Sequence, residues 1–387
     1  MPTATAQSLS KLPPYLFVEI DKAKRQAREQ GKDLIDLGIG DPDTATPAHI
    51  IEALYQAAKN PANHRYALDA GLLELRKEIS QWSQDRFGVA LDPAHEILPL
   101  IGSKEGIAHL PFAYLNRGDV TLVPDPSYPP YRNTTMLAGG KPYLMPLRDK
   151  NDFLPDLKAI PAKVLSRAKI VYLNYPNNPT SATAPLPFLQ EAVALAQRHN
   201  LIICSDLAYS EMTYDGYRAP SIFQVAGAKD VAIEFHSFSK TFNMTGWRLG
   251  WACGCKEIVA ALGKIKSNID SGVFQAIQVT GIAALRTERG FIDRMNAMYQ
   301  ERRDILCGGL KKLGWKFRLP QATFYVWARV PGRKKDSLTF AKLVLDKTGI
   351  VATPGVGFGA CGEGYIRFAL TQPNDRLQEA VQRLAGI

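Results

Sequence analysis

The residues best placed to do chemistry together sit between Ser237 and Gly250, in the run Ser-Phe-Ser-Lys-Thr-Phe-Asn-Met-Thr-Gly-Trp-Arg-Leu-Gly. The run offers two hydroxyls (Ser237 and Ser239), one lysine (Lys240) and one arginine (Arg248). Hydroxyls and a guanidinium suit a phosphate dianion, because arginine presents a bidentate fork and serine adds neutral donors. The run follows a β-like segment, Val231 to His236. A lysine just past a strand end reaches the carboxyl edge of a sheet, where open α/β folds keep their ligands. Taken alone, Ser-x-Ser-Lys is common and most lysines are solvated surface charges, so the rest of the chain must decide.

Other strand ends carry a matching set. Apolar Ile97 to Ile101 runs into Gly102-Ser-Lys-Glu-Gly106, where a glycine turn and a helix N-terminus offer free N–H groups to an anion. That turn lacks the ending of a P-loop and the glycine spacing of a dinucleotide fold. Tyr128 follows Pro124-Asp-Pro-Ser, Asn178 lies in Asn174-Tyr-Pro-Asn-Asn178-Pro-Thr180, and Ser205-Asp206-Leu-Ala-Tyr209 places a carboxylate and a phenol after an apolar strand. Singly, Tyr128 reads as packing, Asn178 as a turn former and Tyr209 as a core residue. Together they meet the needs of pyridoxal phosphate (PLP). Asp206 keeps the pyridine nitrogen protonated, and Asn178 and Tyr209 donate to the ring oxygen. Tyr128 stacks on the ring, and Ser103, Ser237, Ser239 and Arg248 take the phosphate. Lys240 holds the aldehyde as a Schiff base and shuttles the α-proton.

The elements that must position these groups alternate. Strands are expected at Asp33–Leu37, Ile97–Ile101, Val120–Val123, Ile170–Asn174, Leu201–Ser205, Val231–Phe235 and Leu249–Cys253. Helices are expected at Phe17–Gln30, from Thr46-Pro47 to Lys59 with Thr46 as the cap, at Leu72–Phe87, Tyr131–Leu137 and Leu186–Arg198. This is α/β patterning with a mainly parallel sheet. A long helix near Phe291–Leu313, strands at Phe324–Ala328 and Gly364–Ala369, and helices at Leu338–Leu345 and Asp375–Leu384 read as a smaller second domain.

Composition sets the outer limits. The 387 residues are 46% hydrophobic and 22% charged, ordinary for a globular enzyme of two or three domains. The net charge of +10 favours anionic substrates. No basic run, zinc-finger spacing or basic helix points to nucleic acid. The five cysteines, Cys204, Cys253, Cys255, Cys307 and Cys361, have neither redox nor zinc spacing, and the histidines do not cluster, so reduced thiols and no metal are expected. No apolar run spans a membrane and no signal-peptide pattern is seen, which predicts a soluble cytoplasmic protein.

In their order and spacing, Tyr66…Gly71, Tyr128-Pro129, Asn178-Pro-Thr180, Asp206-x-Ala-Tyr209, Ser237-x-Ser-Lys240, Gly246-Trp-Arg248 and Gly364-Tyr-Ile-Arg367 resemble the fold-type-I, class I/II PLP-dependent aminotransferases. The resemblance implies a large PLP-binding domain, residues 46–285, with a mainly parallel seven-stranded sheet between helices. It also implies a smaller α+β domain, residues 286–387, which takes in part of the N-terminal arm 1–45. Lys240, Asp206 and Tyr209 would be catalytic in ping-pong transamination. Tyr66 would reach the phosphate of the neighbouring subunit in a homodimer. Arg367 would clamp the substrate α-carboxylate, with Gly40, Tyr128 and Asn178 beside the substrate.

Within the family the chain is most similar to the bacterial LL-diaminopimelate aminotransferase group. The stretches are Leu12-Pro-Pro-Tyr-Leu-Phe17, Leu37-Gly-Ile-Gly-Asp-Pro-Asp43, Leu100–Ile107, Asn174–Pro179, Asn243–Arg248 and Lys266-Ser-Asn-Ile-Asp-Ser-Gly-Val-Phe-Gln-Ala-Ile-Gln278. That likeness places Tyr15, Lys104 and Asn268 near substrate and cofactor. Lys104 and Tyr15 would hold a distal carboxylate, and Glu105 or the Asp41-Pro-Asp43 loop a second ammonium. Ser127, Ser181 and Leu207 depart from the pattern, which has glycine, glycine and asparagine there. A general aspartate, alanine or aromatic aminotransferase, or a PLP-dependent C–S lyase, would keep the same cofactor residues.

Overall fold

The structure is a computed structural model describing residues 3–10, 12–13, 16–67, 70–332 and 336–387. Its strands are β1 (Ile35–Asp36), β2 (Ile97–Leu100), β3 (Val120–Asp125), β4 (Lys141–Pro146), β5 (Ala168–Asn174), β6 (Ile202–Asp206), β7 (Ala232–Ser237), β8 (Gly250–Gly254), β9 (Tyr325–Arg329), β10 (Ile350–Val351), β11 (Thr353–Pro354) and β12 (Tyr365–Ala369). Seven of them form one sheet in the order β2-β8-β7-β6-β5-β3-β4. The strands β4, β3, β5, β6 and β7 are mutually parallel, while β8 runs antiparallel to both β7 and β2.

Apolar runs in the central strands follow from burial on both faces. Val171 and Ile203 face one core, which holds Phe188, Leu189 and Val193 of the helix Leu186–His199. Their neighbours Ile170 and Cys204 face the other, which holds Ile107 and Leu110 of the helix Ser103–Tyr114 and Ile258 and Leu262 of the helix Lys256–Ser267. The alternation is the period-two geometry of a strand.

The remaining strands form two small sheets. β1 pairs in parallel with β10, matching Ile35 to Ile350. β11, β12 and β9 form an antiparallel sheet. The 24-residue helix Arg289–Lys312 packs against the helix Asn374–Leu384.

Some expectations are corrected. β4 was not expected, because Lys141-Pro-Tyr-Leu-Met-Pro146 carries two prolines. The strand lies at the sheet edge, where proline is tolerated. Helices occupy Lys256–Ser267 and Gln275–Leu285, where none was expected. Thr46 does not cap the helix Ala48–Lys59, whose N-cap is Pro47. Its hydroxyl donates instead to Asn243 O at 2.7 Å, tying this helix start to the Lys240 loop. Among the described residues, no helix is long and apolar enough to cross a membrane.

Candidate active site

Parallel strands end at one edge, and there the chain delivers its polar groups. β7 stops at Ser237, which caps a single helical turn, Phe238–Thr241; its Oγ accepts from Ser239 N at 3.2 Å. The chain returns antiparallel as β8, with Ser237 opposite Gly250. Lys240 and Arg248 are thus kept at the same edge as the start of the loop. They line a cavity of about 240 Å³ with Ser103, Lys104, Tyr128, Asn178, Asp206, Tyr209, Ser237, Ser239, Gly40 and Arg367. Asn174, Ala208, Thr245, Tyr325 and Phe358 complete the lining.

Asp206 closes β6 and is buried. Its Oδ2 accepts from Tyr131 Oη at 2.6 Å. Its Oδ1 is buried without a hydrogen-bond partner among the described residues. Burial pushes the carboxyl up to about 6 against the pull of the Tyr131 hydrogen bond. Lys240 Nζ donates to Gly40 O at 2.7 Å. Burial brings its pKa down to about 8. Tyr209 Oη meets Tyr325 Oη at 2.9 Å.

The anion end is a turn and a fork. Gly102 has φ +74°, and a Cβ there would lie 2.3 Å from Arg248 Nη2, so the guanidinium packs against a turn that requires glycine. Ser103 begins the helix that follows. Arg248 Nη1 donates to Thr245 O at 2.7 Å. Lys104 is half-buried, and burial together with the nearby Arg248 charge lowers its pKa.

At the opposite end, Arg367 of β12 donates from Nη1 to Asn178 Oδ1 and from Nη2 to Gly38 O, both at 2.8 Å. Its guanidinium lies 4.2 Å from the Tyr325 ring centre and 4.7 Å from that of Phe358. Gly40 leaves room for Tyr325, whose hydroxyl would be 1.9 Å from a Cβ at that position. Asn178 is held by its own N–H donating to Asn174 Oδ1 at 2.8 Å. Arg367 occupies the Asn178 amide oxygen, so donation to a cofactor oxygen falls to Nδ2.

Three expected residues stand apart. Tyr15 lies outside the described residues. Tyr66 is 87% exposed and does not line the cavity of its own chain. Asn268 is exposed too, with Nδ2 donating to Lys264 O at 2.7 Å. Of the residues the sequence reading missed, Tyr325 matters most. It opens a strand that reads as ordinary apolar core, and nothing local marks it. Asn174 had a signal, as a polar residue closing an apolar strand.

The donor set fits PLP. Asp206 Oδ1 is a buried acceptor that needs an N–H, which a protonated ring nitrogen provides. The hydroxyls, the fork of Arg248 and the Ser103 helix start suit a phosphate. Lys240 sits in the same cavity.

Comparison with known proteins agrees. Residues 32–384 match the family described as aminotransferase class I and II. A relative from Moorella thermoacetica, named LL-diaminopimelate aminotransferase, is 56% identical over 382 residues, 99% of this chain and 98% of its own. The solved structure of BacF from Bacillus subtilis with substrate bound superimposes with a TM-score of 0.96 at 35% identity, covering 100% of this chain and 98% of that one. A probable N-succinyldiaminopimelate aminotransferase from Thermus thermophilus gives a TM-score of 0.91 at 38% identity, covering 96% of this chain and 99% of the other. The chain belongs to the class I and II aminotransferases, enzymes that move amino groups with PLP as cofactor.

Proposed function

We propose that the protein transfers an amino group between LL-diaminopimelate and 2-oxoglutarate, with glutamate as donor in the biosynthetic direction, in the cytoplasm. The observation that carries this is near-full-length identity, 56% and 51%, to relatives from Moorella thermoacetica and Aquifex aeolicus that bear the LL-diaminopimelate aminotransferase name. The cofactor-binding part is placed at residues 46–285, and the part bearing Arg367 at 286–387 with some of 1–45.

Bound PLP supplies an electron sink for charge that develops at the substrate α-carbon. The protein's own groups do the rest. Asp206 Oδ1 would hold the proton on the ring nitrogen, with Tyr131 fixing the carboxylate from its other oxygen. Tyr209 and Asn178 would donate at the ring oxygen, and Tyr128 would cover the ring face. Ser103, Ser237, Ser239 and Arg248 hold the phosphate. The lowered pKa of Lys240 gives it a neutral amine fraction near neutral pH, so it can take the proton from the substrate α-carbon and return it. Arg367 binds the α-carboxylate of either substrate, at a guanidinium already fixed by Asn178 and Gly38.

The two substrates differ at the far end, where diaminopimelate adds an ammonium. Lys104 suits the distal carboxylate that both carry. Of the acidic candidates for the ammonium, Glu105 accepts from Ile101 N and pairs with Lys266. Asp43 is held bidentately by Arg302. Asp41 is exposed and carries no ion pair among the described residues, which leaves it the candidate for that role. A site of paired polar groups rejects analogues that leave them unpaired, by up to about four orders of magnitude.

The active unit is read as a homodimer with Tyr66 serving the partner's phosphate. Its exposure, with that of Tyr55, Ile269 and Phe274, supports the reading. Mixing Tyr66→Ala with Lys240→Ala subunits should restore part of the activity. The substrate assignment is tested by kcat/KM for LL- and meso-diaminopimelate, aspartate, alanine and phenylalanine, each with 2-oxoglutarate. LL-diaminopimelate should lead; a tenfold advantage for aspartate, alanine or phenylalanine would sink it.

A further inference from the structure

Two buried hydroxyl residues on the Arg367 side of the site stand in the left-handed region, Ser181 at φ 59° and Thr323 at φ 66°. For a β-branched residue this is an outlier. At position 181 a glycine would adopt the same backbone without strain. Such conformations persist only where the surroundings over-determine them, and they point to function.

Here the surroundings are each other. Ser181 Oγ donates to Tyr325 O at 2.7 Å. With its single proton committed there, the 2.9 Å bond between Ser181 Oγ and Thr323 Oγ1 has Thr323 as donor. Thr323 Oγ1 in turn accepts from Tyr325 N at 3.1 Å. Both ends are anchored. Thr323 N donates to Met212 O and Ser181 N to Asn177 O, each at 2.9 Å.

The consequence falls on Arg367. Its guanidinium rests on the Asn178 amide and on the Tyr325 ring. Asn178 lies three residues before Ser181, and Tyr325 two residues after Thr323. We propose that Ser181 and Thr323 are positioning residues, a hydroxyl clasp that fixes the separation of Asn178 from Tyr325 and so aims Arg367 at the substrate α-carboxylate. The inference rests on Arg367 being the carboxylate receptor. The clasp's own hydrogen bonds reach neither Asp206 nor Ser103, Ser237, Ser239 and Arg248, so its main effect falls on the Arg367 side and on substrate binding. Its loss weakens ground state and transition state alike, which raises KM and leaves kcat unchanged.

The test uses the holoenzyme with Ser181→Gly, Ser181→Ala, Thr323→Val and Thr323→Ser. It reads kcat and KM for both substrates, PLP content, and the calorimetric Kd of glutarate, an unreactive dicarboxylate. Ser181→Gly, Ser181→Ala and Thr323→Val should each raise both KM values and the glutarate Kd by about tenfold, with kcat and PLP content near wild type. Thr323→Ser, which keeps the hydroxyl, should restore wild-type values. Ser181→Gly decides the matter, because it relieves the backbone while removing the hydroxymethyl group that makes the clasp. Wild-type glutarate affinity in Ser181→Gly, or equal losses in Thr323→Ser and Thr323→Val, would overturn the clasp. Arg367→Lys keeps the two readings apart. Unchanged KM there removes the receptor and the clasp with it; a loss there without one in Ser181→Gly removes the clasp alone.

Discussion

The end of the cavity proposed for the ring and phosphate hangs from the carboxyl edge of one sheet, whereas the end proposed for the carboxylate is gathered from three. Asp206, Ser237 and Lys240 follow adjacent strands β6 and β7. Arg367 and Tyr325 come from the antiparallel sheet, Gly38 and Gly40 follow β1, and Asn178 follows β5. The two ends also handle charge differently. At the first, burial moves Asp206 up to about 6 and Lys240 down to about 8. At the second, Arg367 is held by two carbonyl-type acceptors and two rings. One end is poised by desolvation and the other by pairing. Changes at the first should therefore appear in kcat, and changes at the second in KM.

The strongest challenge to this contrast is Lys240→Ala. It should keep the fold and bind PLP through the phosphate contacts, yet lower kcat by at least about 10⁴-fold. Stopped-flow turnover beside PLP content checks both halves, and near-native turnover would break the assignment. Asp206→Asn should follow, with kcat down about 10³-fold and KM little changed, because an amide does not keep the ring nitrogen protonated. Arg367→Lys moves the test to the other end. A point charge replaces the fork, so KM for both substrates should rise about 100-fold while PLP content stays constant. If kcat fell instead, the division between the ends would be wrong.

Two smaller effects sharpen the picture. Desolvation depresses the Lys240 pKa in the folded chain from its ordinary 10.5 to about 8. Its ammonium therefore destabilises the cofactor-free fold. That cost is full below pH 8 and shrinks as pH rises from 8 towards 10.5. Lys240→Met should raise the stability of the cofactor-free protein at pH 7 by on the order of 1–3 kcal/mol, the lost bond to Gly40 offsetting part of the gain. Denaturant melts at pH 7, 8.5 and 10 should show the gain fading; a gain that grows with pH would contradict burial as the cause. Last, Tyr325→Phe keeps the ring under Arg367 and removes the bond to Tyr209. A change in kcat/KM of about threefold to tenfold is expected, and a 100-fold loss would mean the hydroxyl does more than brace.

What the sequence revealed follows the same division. Groups at the ends of parallel strands are local, so turn-rich runs after apolar ones, taken as a set, picked out Asp206, Asn178 and Lys240, which the fold brings into one cavity. The carboxylate end depends on pairings between distant stretches, such as Arg367 with Gly38. Arg367 was therefore reached only through resemblance, and Tyr325 not at all. Ser181 was visible as a departure from a glycine pattern, but its partner Thr323 was not. The strand β4 was hidden by its prolines, whose tolerance depends on an edge position that no local pattern reveals. Thr46 was misread because its hydroxyl answers to Asn243, nearly 200 residues away, and not to its own helix.

The pairing of β1 with β10 has a consequence for how the chain is made. Ile35 emerges early from the ribosome, but its partner Ile350 emerges near the end. At roughly 5–20 residues per second, translation leaves that segment waiting for some tens of seconds. During that interval β6 and β7 are already available, with Asp206 and Lys240 at their ends, while β1 and Gly38 still lack Val351, Thr353 and Arg367. A nascent chain halted before β10 would carry the serines and Arg248 of the proposed phosphate cradle but not Arg367, the proposed carboxylate receptor. Under the proposed roles, the groups that would hold the cofactor are therefore synthesised before the arginine that would hold the substrate.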